Sequence, residues 1–251
     1  MTQHLGDVNT EARTAIITGD PDRVPRLVEA VGHATAGWSR RGYVSAEADA
    51  CGVPLLIAGT GIGGPSTAIA VEELAQLGIE QVIRVGTCGS MQPTVHAGDL
   101  VISSGSIRDD GTSYHYLPPS FPAVPNHWLL SSLVAAAEAG GLIHHVGLTH
   151  CKDAYYVEHP EGLPLESHWQ NQWRILRSAG VLATEMEAAA LFAVATVRRL
   201  RAAAVLVPVD RSLTAKEVLT GLQQATRLAA RAALSARLPA ATADGEPACA
   251  S

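Results

Sequence analysis

Residues 53–78 read VPLLIA followed by GTGIGGPSTAIAVEELAQLG: a short apolar run, a glycine-rich turn, then a segment opened by Pro65 and closed by Gly78. Proline in the first turn of a helix and glycine just past its last are the places those residues favour, so this stretch predicts a strand that turns sharply into a helix. Four more β-branched or apolar runs read as buried strands: TAIIT (14–18), QVIRV (81–85), DLVIS (99–103) and AAVLVPV (203–209). Helical patterns cover 21–31, 65–77, 185–201 and 215–238. Alternation of this kind predicts an α/β class fold, one domain with a mixed or parallel central β-sheet flanked by helices on both faces. The domain is expected over 1–238, and PAATADGEPACAS (239–251), small and polar with nothing to bury, is expected to be a disordered tail.

Composition narrows the partner more than the fold. With 24 acidic against 18 basic residues the net charge is −6, which gives no basic field to recruit a nucleic-acid backbone and favours a small molecule. The N-terminal MTQHLGDVNTEAR has no apolar core of signal-peptide type, and no apolar run reaches the roughly 18 residues of a membrane span, so no membrane partner and a cytoplasmic location are expected. Cys51, Cys88, Cys151 and Cys249 show no CxxC pairing and are expected as thiols, Cys88 filling a tight turn rather than acting as a nucleophile. His144, His145 and His150 match no metal-ligand spacing, and no metal is predicted.

Four motifs are able to carry chemistry. Gly19-Asp20-Pro21-Asp22-Arg23 follows a strand and starts a helix, where free amides favour an anion and Arg23 adds a two-pronged donor; a solvated Arg after an ordinary helix start fits the same letters. Gly59, Gly61 and Gly64 satisfy GxGxxG, yet a dinucleotide site wants an acidic residue about 20 positions on, and that stretch holds Arg84 instead. Arg84 itself lies in an apolar strand that runs into Gly86-Thr87-Cys88-Gly89, a costly place for a charge unless an anion or a structural carboxylate meets it. Glu185 and Glu187 flank Met186 two positions apart, off one another's helical face, but in a turn both can approach one ligand and accept from vicinal hydroxyls; first-turn acid enrichment is the plainer account.

Together these pieces resemble the nucleoside phosphorylase family, and within it the uridine-cleaving branch. The resemblance rests on HLG (4–6), GDPDRV (19–24), Arg41, the run 59–79, RVGTCGSMQP (84–93), the GDLVI stretch, DGTSYHYLPPSFPAV (110–124) and TEMEAA (184–189). It implies a single-domain phosphorylase fold in a homohexamer, a trimer of dimers whose partners complete each other's sites. By matching positions, it implies that Gly19, Arg23, Arg84 and Thr87 hold phosphate, with Arg41 from the neighbouring subunit. Glu185, Met186 and Glu187 would hold the ribose, with His4 from the neighbour. Inorganic phosphate would be a co-substrate and no cofactor would be needed. The reaction implied is uridine plus phosphate to uracil plus ribose 1-phosphate, with Arg84, Asp210 and Arg211 as catalytic candidates.

The base end departs from that pattern. Uridine phosphorylases commonly read uracil with a Gln-x-Arg pair after an aromatic-Tyr dipeptide, whereas Tyr155-Tyr156-Val157-Glu158 is followed here by His159, Pro160 and Glu161. Lys152, Tyr155, His159 and Arg211 are the replacement base-binding candidates. Asp210 stands where purine-specific relatives place a proton donor, which keeps a purine nucleoside phosphorylase as the alternative. Gly42 follows Arg41 where a cation-binding Glu is common, so no potassium is predicted. Two readings from other classes are an NADP-dependent oxidoreductase in which Arg84 meets a 2′-phosphate, and a non-catalytic nucleoside-binding protein.

Overall fold

A computed structural model describes residues 2–235, so the expected tail at 239–251 and the last three residues of the expected final helix lie outside the described residues. In chain order the elements are β1 (Thr14–Thr18), α1 (Val24–Val31), β2 (His33–Arg40), β3 (Tyr43–Asp49), β4 (Pro54–Gly59), α2 (Gly64–Gln76), β5 (Gln81–Ser90), β6 (Leu100–Asp109), α3 (His127–Ala139), β7 (His144–Lys152), α4 (Glu166–Ser178), β8 (Ala183–Glu185), α5 (Ala188–Arg198), β9 (Arg201–Pro208) and α6 (Ala215–Ser235). The strands form one mixed nine-stranded sheet in the order β2-β3-β4-β1-β5-β8-β7-β6-β9. Strand β9 also returns to pair with β5, so the last five strands in that order close into a ring.

Alternating side chains of the central strands feed two separate cores. Ile16, Leu55, Ile57, Ile83, Val85, Ala203 and Val205 pack with Leu27 of α1, Leu129 and Leu133 of α3 and Leu222 of α6. The intervening residues Ala15, Ile17, Leu56, Ala58, Val82, Ala202 and Ala204 pack with Val71 and Leu74 of α2 and Leu191 and Phe192 of α5. A period of two with both faces apolar is the pattern of a sheet covered on both sides, and each large aliphatic buried there contributes about 1.5–3 kcal/mol. The expected α/β architecture with a mixed sheet is thus the observed one. Helix α5 is buried from Ala188 through Ala195 and packs against α2, where a Cβ on Gly64 would be in ordinary contact with that of Ala190 at 3.5 Å.

Several boundaries differ from expectation. The helix expected over 21–31 begins as a single 3-10 turn, Pro21–Arg23, capped by the Asp20 side chain, and α1 starts only at Val24. Glu185 ends a strand rather than opening a helix, because β8 pairs with both β5 and β7. Strand β5 runs to Ser90, five residues past its apolar run, since β9 supplies partners as far as Cys88.

The N-terminal segment is held by one buried carboxylate. The amides of Gln3, His4 and Leu5 all donate to Glu73 of α2, and His4 Nδ1 lies 2.8 Å from Glu73 Oε1. Burial pushes the Glu73 carboxyl up, but the Leu5 and His4 amides with the His4 ring outweigh it and hold the group below its ordinary value. A depressed carboxyl stabilises the folded state above its unfolded pKa, and that contribution is lost as pH falls through the folded value. Acidification below about pH 4 is therefore expected to free residues 3–5 from α2. Hydrogen-exchange protection of the Leu5 amide checks this, and protection that persists well below that pH would contradict it.

Candidate active site

A cleft of about 640 Å³ opens at the carboxyl ends of β1, β4 and β8. The sheet register explains its place. Strand β1 pairs with β5 only as far as Arg84, and β8 takes up pairing on that side at Gly89. Between them the β5 backbone has no strand neighbour on that side among the described registers, while β9 pairs along the other. Crevices of this kind, outside the carboxyl ends of diverging strands, are where α/β sheets take ligands.

Arg84 sits at the floor with 3% of its surface exposed. Its Nε donates to Glu185 Oε2 at 3.0 Å and its Nη2 lies 2.5 Å from Glu187 Oε2. Nη1 is buried with no hydrogen-bond partner among the described residues. Burial acts to strip the guanidinium of its proton, but the Glu187 and Glu185 carboxylates outweigh it and hold the group above its ordinary value. The strand arginine is thus met by carboxylates of its own chain, with one nitrogen left over. The guanidinium lies flat against the backbone: a Cβ on Gly86 would fall 2.7 Å from its Cζ and both Nη atoms.

The two carboxylates do different work. Glu185 has its side chain wholly buried, and its oxygens accept from the amides of Glu187 and Ala188 as well as from Arg84, so it anchors the start of α5 and aims the guanidinium. That leaves it enclosed rather than open to a sugar. Glu187 Oε1 accepts from the Gly63 amide at 2.6 Å, tying the glycine turn after β4 to the same centre. Burial pushes the Glu187 carboxyl up. Met186 stands between them, half-buried and lining the cleft.

Gly19, Arg23 and Thr87 line the cleft with Arg84. Gly19 faces the glycine turn after β4: a Cβ there would be in ordinary contact with Gly61 O at 3.6 Å and Glu187 Oε1 at 3.9 Å. Across it, a Cβ on Gly59 would meet Pro21 Cα at 2.5 Å, so the end of β4 packs directly against the turn that carries Arg23. Arg23 Nε is 3.1 Å from Asp20 Oδ2 at the surface. Cys88 is buried on β5, and burial pushes its thiol up, which disfavours the thiolate a nucleophile needs. Among the described residues no group of His, Cys, Asp and Glu is placed to hold a metal ion.

At the far end Lys152 and Tyr155 line the cleft, as do two residues passed over in the sequence, Glu158 and Thr184. Thr184 meets Lys152 from another strand, which nothing local flags, whereas Glu158 meets it from the same segment. His159, Asp210 and Arg211 are exposed and are not among the cleft-lining residues, although Val209, just before Asp210, is. The hydroxyl and the amide of Ser212 donate to Asp210 and hold its carboxyl below the ordinary value. His4 and Arg41 lie away from this cleft: His4 against Glu73 and Tyr43, Arg41 exposed at the β2–β3 turn with φ of 51°.

The model of the phosphorylase superfamily matches residues 13–238. The chain is 41% identical over 209 residues to a uridine phosphorylase of Treponema pallidum, covering 83% of this chain and 81% of that protein. It is 37% identical over 206 residues to the uridine phosphorylase of Escherichia coli, with 79% and 81% covered. A guanosine phosphorylase of Halorubrum lacusprofundi is 40% identical over 210 residues, with 84% and 81% covered.

Proposed function

The chain belongs to the phosphorylase superfamily, and on that premise we propose that it cleaves uridine with inorganic phosphate, giving uracil and ribose 1-phosphate. The observation that carries this reading is the buried guanidinium of Arg84, with Nη1 unpartnered among the described residues in a cleft that also holds Glu187 and the glycine turns at 19 and 61. In the proposed arrangement Gly19, Arg23, Arg84 and Thr87 receive phosphate, Met186 and Glu187 face the ribose, and the base lies toward Lys152 and Tyr155. Two of the lone-pair sites of Glu187 are taken by Arg84 and Gly63, which leaves others for ribose hydroxyls.

Charge accounts for the remaining candidates. Arg84 already shares its charge with two carboxylates, so it does not neutralise a phosphate dianion alone. Further cations are required, and Arg23 with Arg41 from a second copy of the chain would supply them, with His4 of that copy at the sugar. A homohexamer of dimers with shared sites is therefore part of the proposal.

The chemistry follows from positioning. The C1′–N bond breaks with its electron pair leaving on the base, the sugar gains oxocarbenium character, and a phosphate oxygen forms the new C1′–O bond from the opposite face. Donors fixed in advance around phosphate and the departing base lower the barrier without a covalent enzyme intermediate. In this arrangement Arg211 and His159 would reach the base only if the segments bearing them fold inward over the cleft. The guanosine-cleaving relative favours a purine reading, but Asp210, held ionised by Ser212, is poorly suited to donate a proton.

The test is release of free base from uridine, thymidine, inosine and adenosine, each with and without phosphate. Phosphate-dependent uracil release is expected. Hypoxanthine or adenine release in its place would overturn the uridine assignment, and no release from any nucleoside would overturn phosphorolysis.

A further inference from the structure

Resting on the nucleoside reading above, we infer that the base is selected by a buried ammonium paired with a half-buried carboxylate, Lys152 with Glu158, that accepts bases presenting a ring N–H beside a carbonyl and rejects those presenting a bare ring nitrogen beside an amino group.

Lys152 is 1% exposed and is among the largest fully buried side chains of the described chain. Its Nζ lies 2.6 Å from Glu158 Oε1 and donates to Thr184 Oγ1 at 3.1 Å. Thr184 Oγ1 is in turn 3.0 Å from His150 Nδ1, and His150 Nε2 is 3.1 Å from Asp109 Oδ2. Because the ammonium only donates, the threonine oxygen accepts from it, and its own hydrogen is free for the His150 ring. The lysine is therefore aimed by a chain of side chains drawn from β6, β7 and β8, with the edge of the His150 ring set against Trp173 at 5.2 Å.

An ion pair with one partner buried and the other a quarter exposed is a weak way to stabilise a fold, and an apolar pair of similar volume would fasten the 153–158 segment about as well. What the pair offers instead is unspent valence. An ammonium has three donors, and two are matched among the described residues. Glu158 Oε2 accepts from none of them; it would sit 3.6 Å from a Cβ on Gly89. One donor and one acceptor are thus left side by side at the end of the cleft.

That order complements a lactam edge. The N3–H of uracil would donate to Glu158 and an adjacent carbonyl would accept from Lys152; thymine, hypoxanthine and guanine present the same sequence. Cytosine and adenine present the reverse, placing a lone pair against the carboxylate and an amino group against the ammonium, so both contacts turn repulsive. Gly86, against which the Arg84 guanidinium lies, and Gly89, beside Glu158, are three residues apart on β5, roughly 10 Å at the rise of a strand. A ribosyl unit needs a separation of that order between its phosphate and the reading edge of its base.

Calorimetric binding of uridine, inosine, cytidine and adenosine in phosphate-free buffer reads recognition without cleavage. The full chain is expected to bind uridine and inosine about 100-fold more tightly than cytidine and adenosine, the scale of losing charge-assisted hydrogen bonds. In Glu158→Gln the preference is expected to fall within about tenfold, because the amide presents either its oxygen or its NH2 to the ring nitrogen. The double variant Lys152→Met/Glu158→Leu removes both charges, should melt like the parent, and should lose the preference too. Equal binding of uridine and cytidine by the parent, binding of neither, or a preference surviving in a folded variant would overturn the inference. Selective binding of uridine with no phosphate-dependent uracil release would support this reader while sinking phosphorolysis, so the two readings fail separately.

Discussion

Replacement of Arg84 by methionine is expected to lower kcat/KM for phosphate-dependent uridine cleavage by about 10²–10³, the scale of losing a fixed charged donor at a developing charge. The same change should cost stability. Glu185 and Glu187 both lean on this guanidinium from inside the protein, and stripping one partner from a buried ion pair costs about 3–5 kcal/mol because the other charge stays behind. A second substitution separates the two losses. Glu187→Gln added to Arg84→Met removes one stranded charge and should recover part of the stability, read by denaturant melts, while activity stays low. Activity of Arg84→Met within tenfold of the parent would show that phosphate does not depend on this side chain.

Gly86→Ala is expected to give nearly as large a loss of activity for a smaller loss of stability. The new methyl would lie 2.7 Å from three guanidinium atoms of Arg84, so something must move. The guanidinium is the far end of a flexible side chain, and its displacement costs about 1–3 kcal/mol, typical of an overpacked site. Moving it by about 1 Å misaligns Nη1 and both carboxylates, and misplacement of that size costs on the order of 10²-fold in rate. Phosphate KM and kcat measured on the folded variant check this. Unchanged kinetics would mean that the guanidinium has room that the geometry denies it.

Much of the central sheet was legible because its signals are local. Thr14–Thr18 matches its apolar run end to end, and α2, Gly64–Gln76, begins and stops within a residue of the expected 65–77. The elements missed lack such signals. Strand β2 is largely exposed, β8 is three residues long, and α4 buries only Trp173 and Leu176 with no capping side chain. Helix α3 does carry one, since Asn126 accepts from the amides of Trp128 and Leu129. Gly86 to Gly89 read as a turn because glycines usually mark one, yet at Gly86 the glycine makes room for a side chain two residues earlier in the same strand.

Residue order alone determined the alternation of strands and helices, the two-faced sheet and the presence of a costly arginine at position 84, because periodicity and burial cost act over a few neighbouring residues. Which groups meet that arginine was decided only in three dimensions. Glu185 lies 101 positions away and reaches it because β8 joins β5 where β1 stops. The same holds for Glu158, whose partner Lys152 is near in sequence but whose place in the cleft depends on Thr184, 32 positions beyond that lysine. Hydrogen bonds and ion pairs act over a few ångströms, and only the register of the sheet brings distant segments that close.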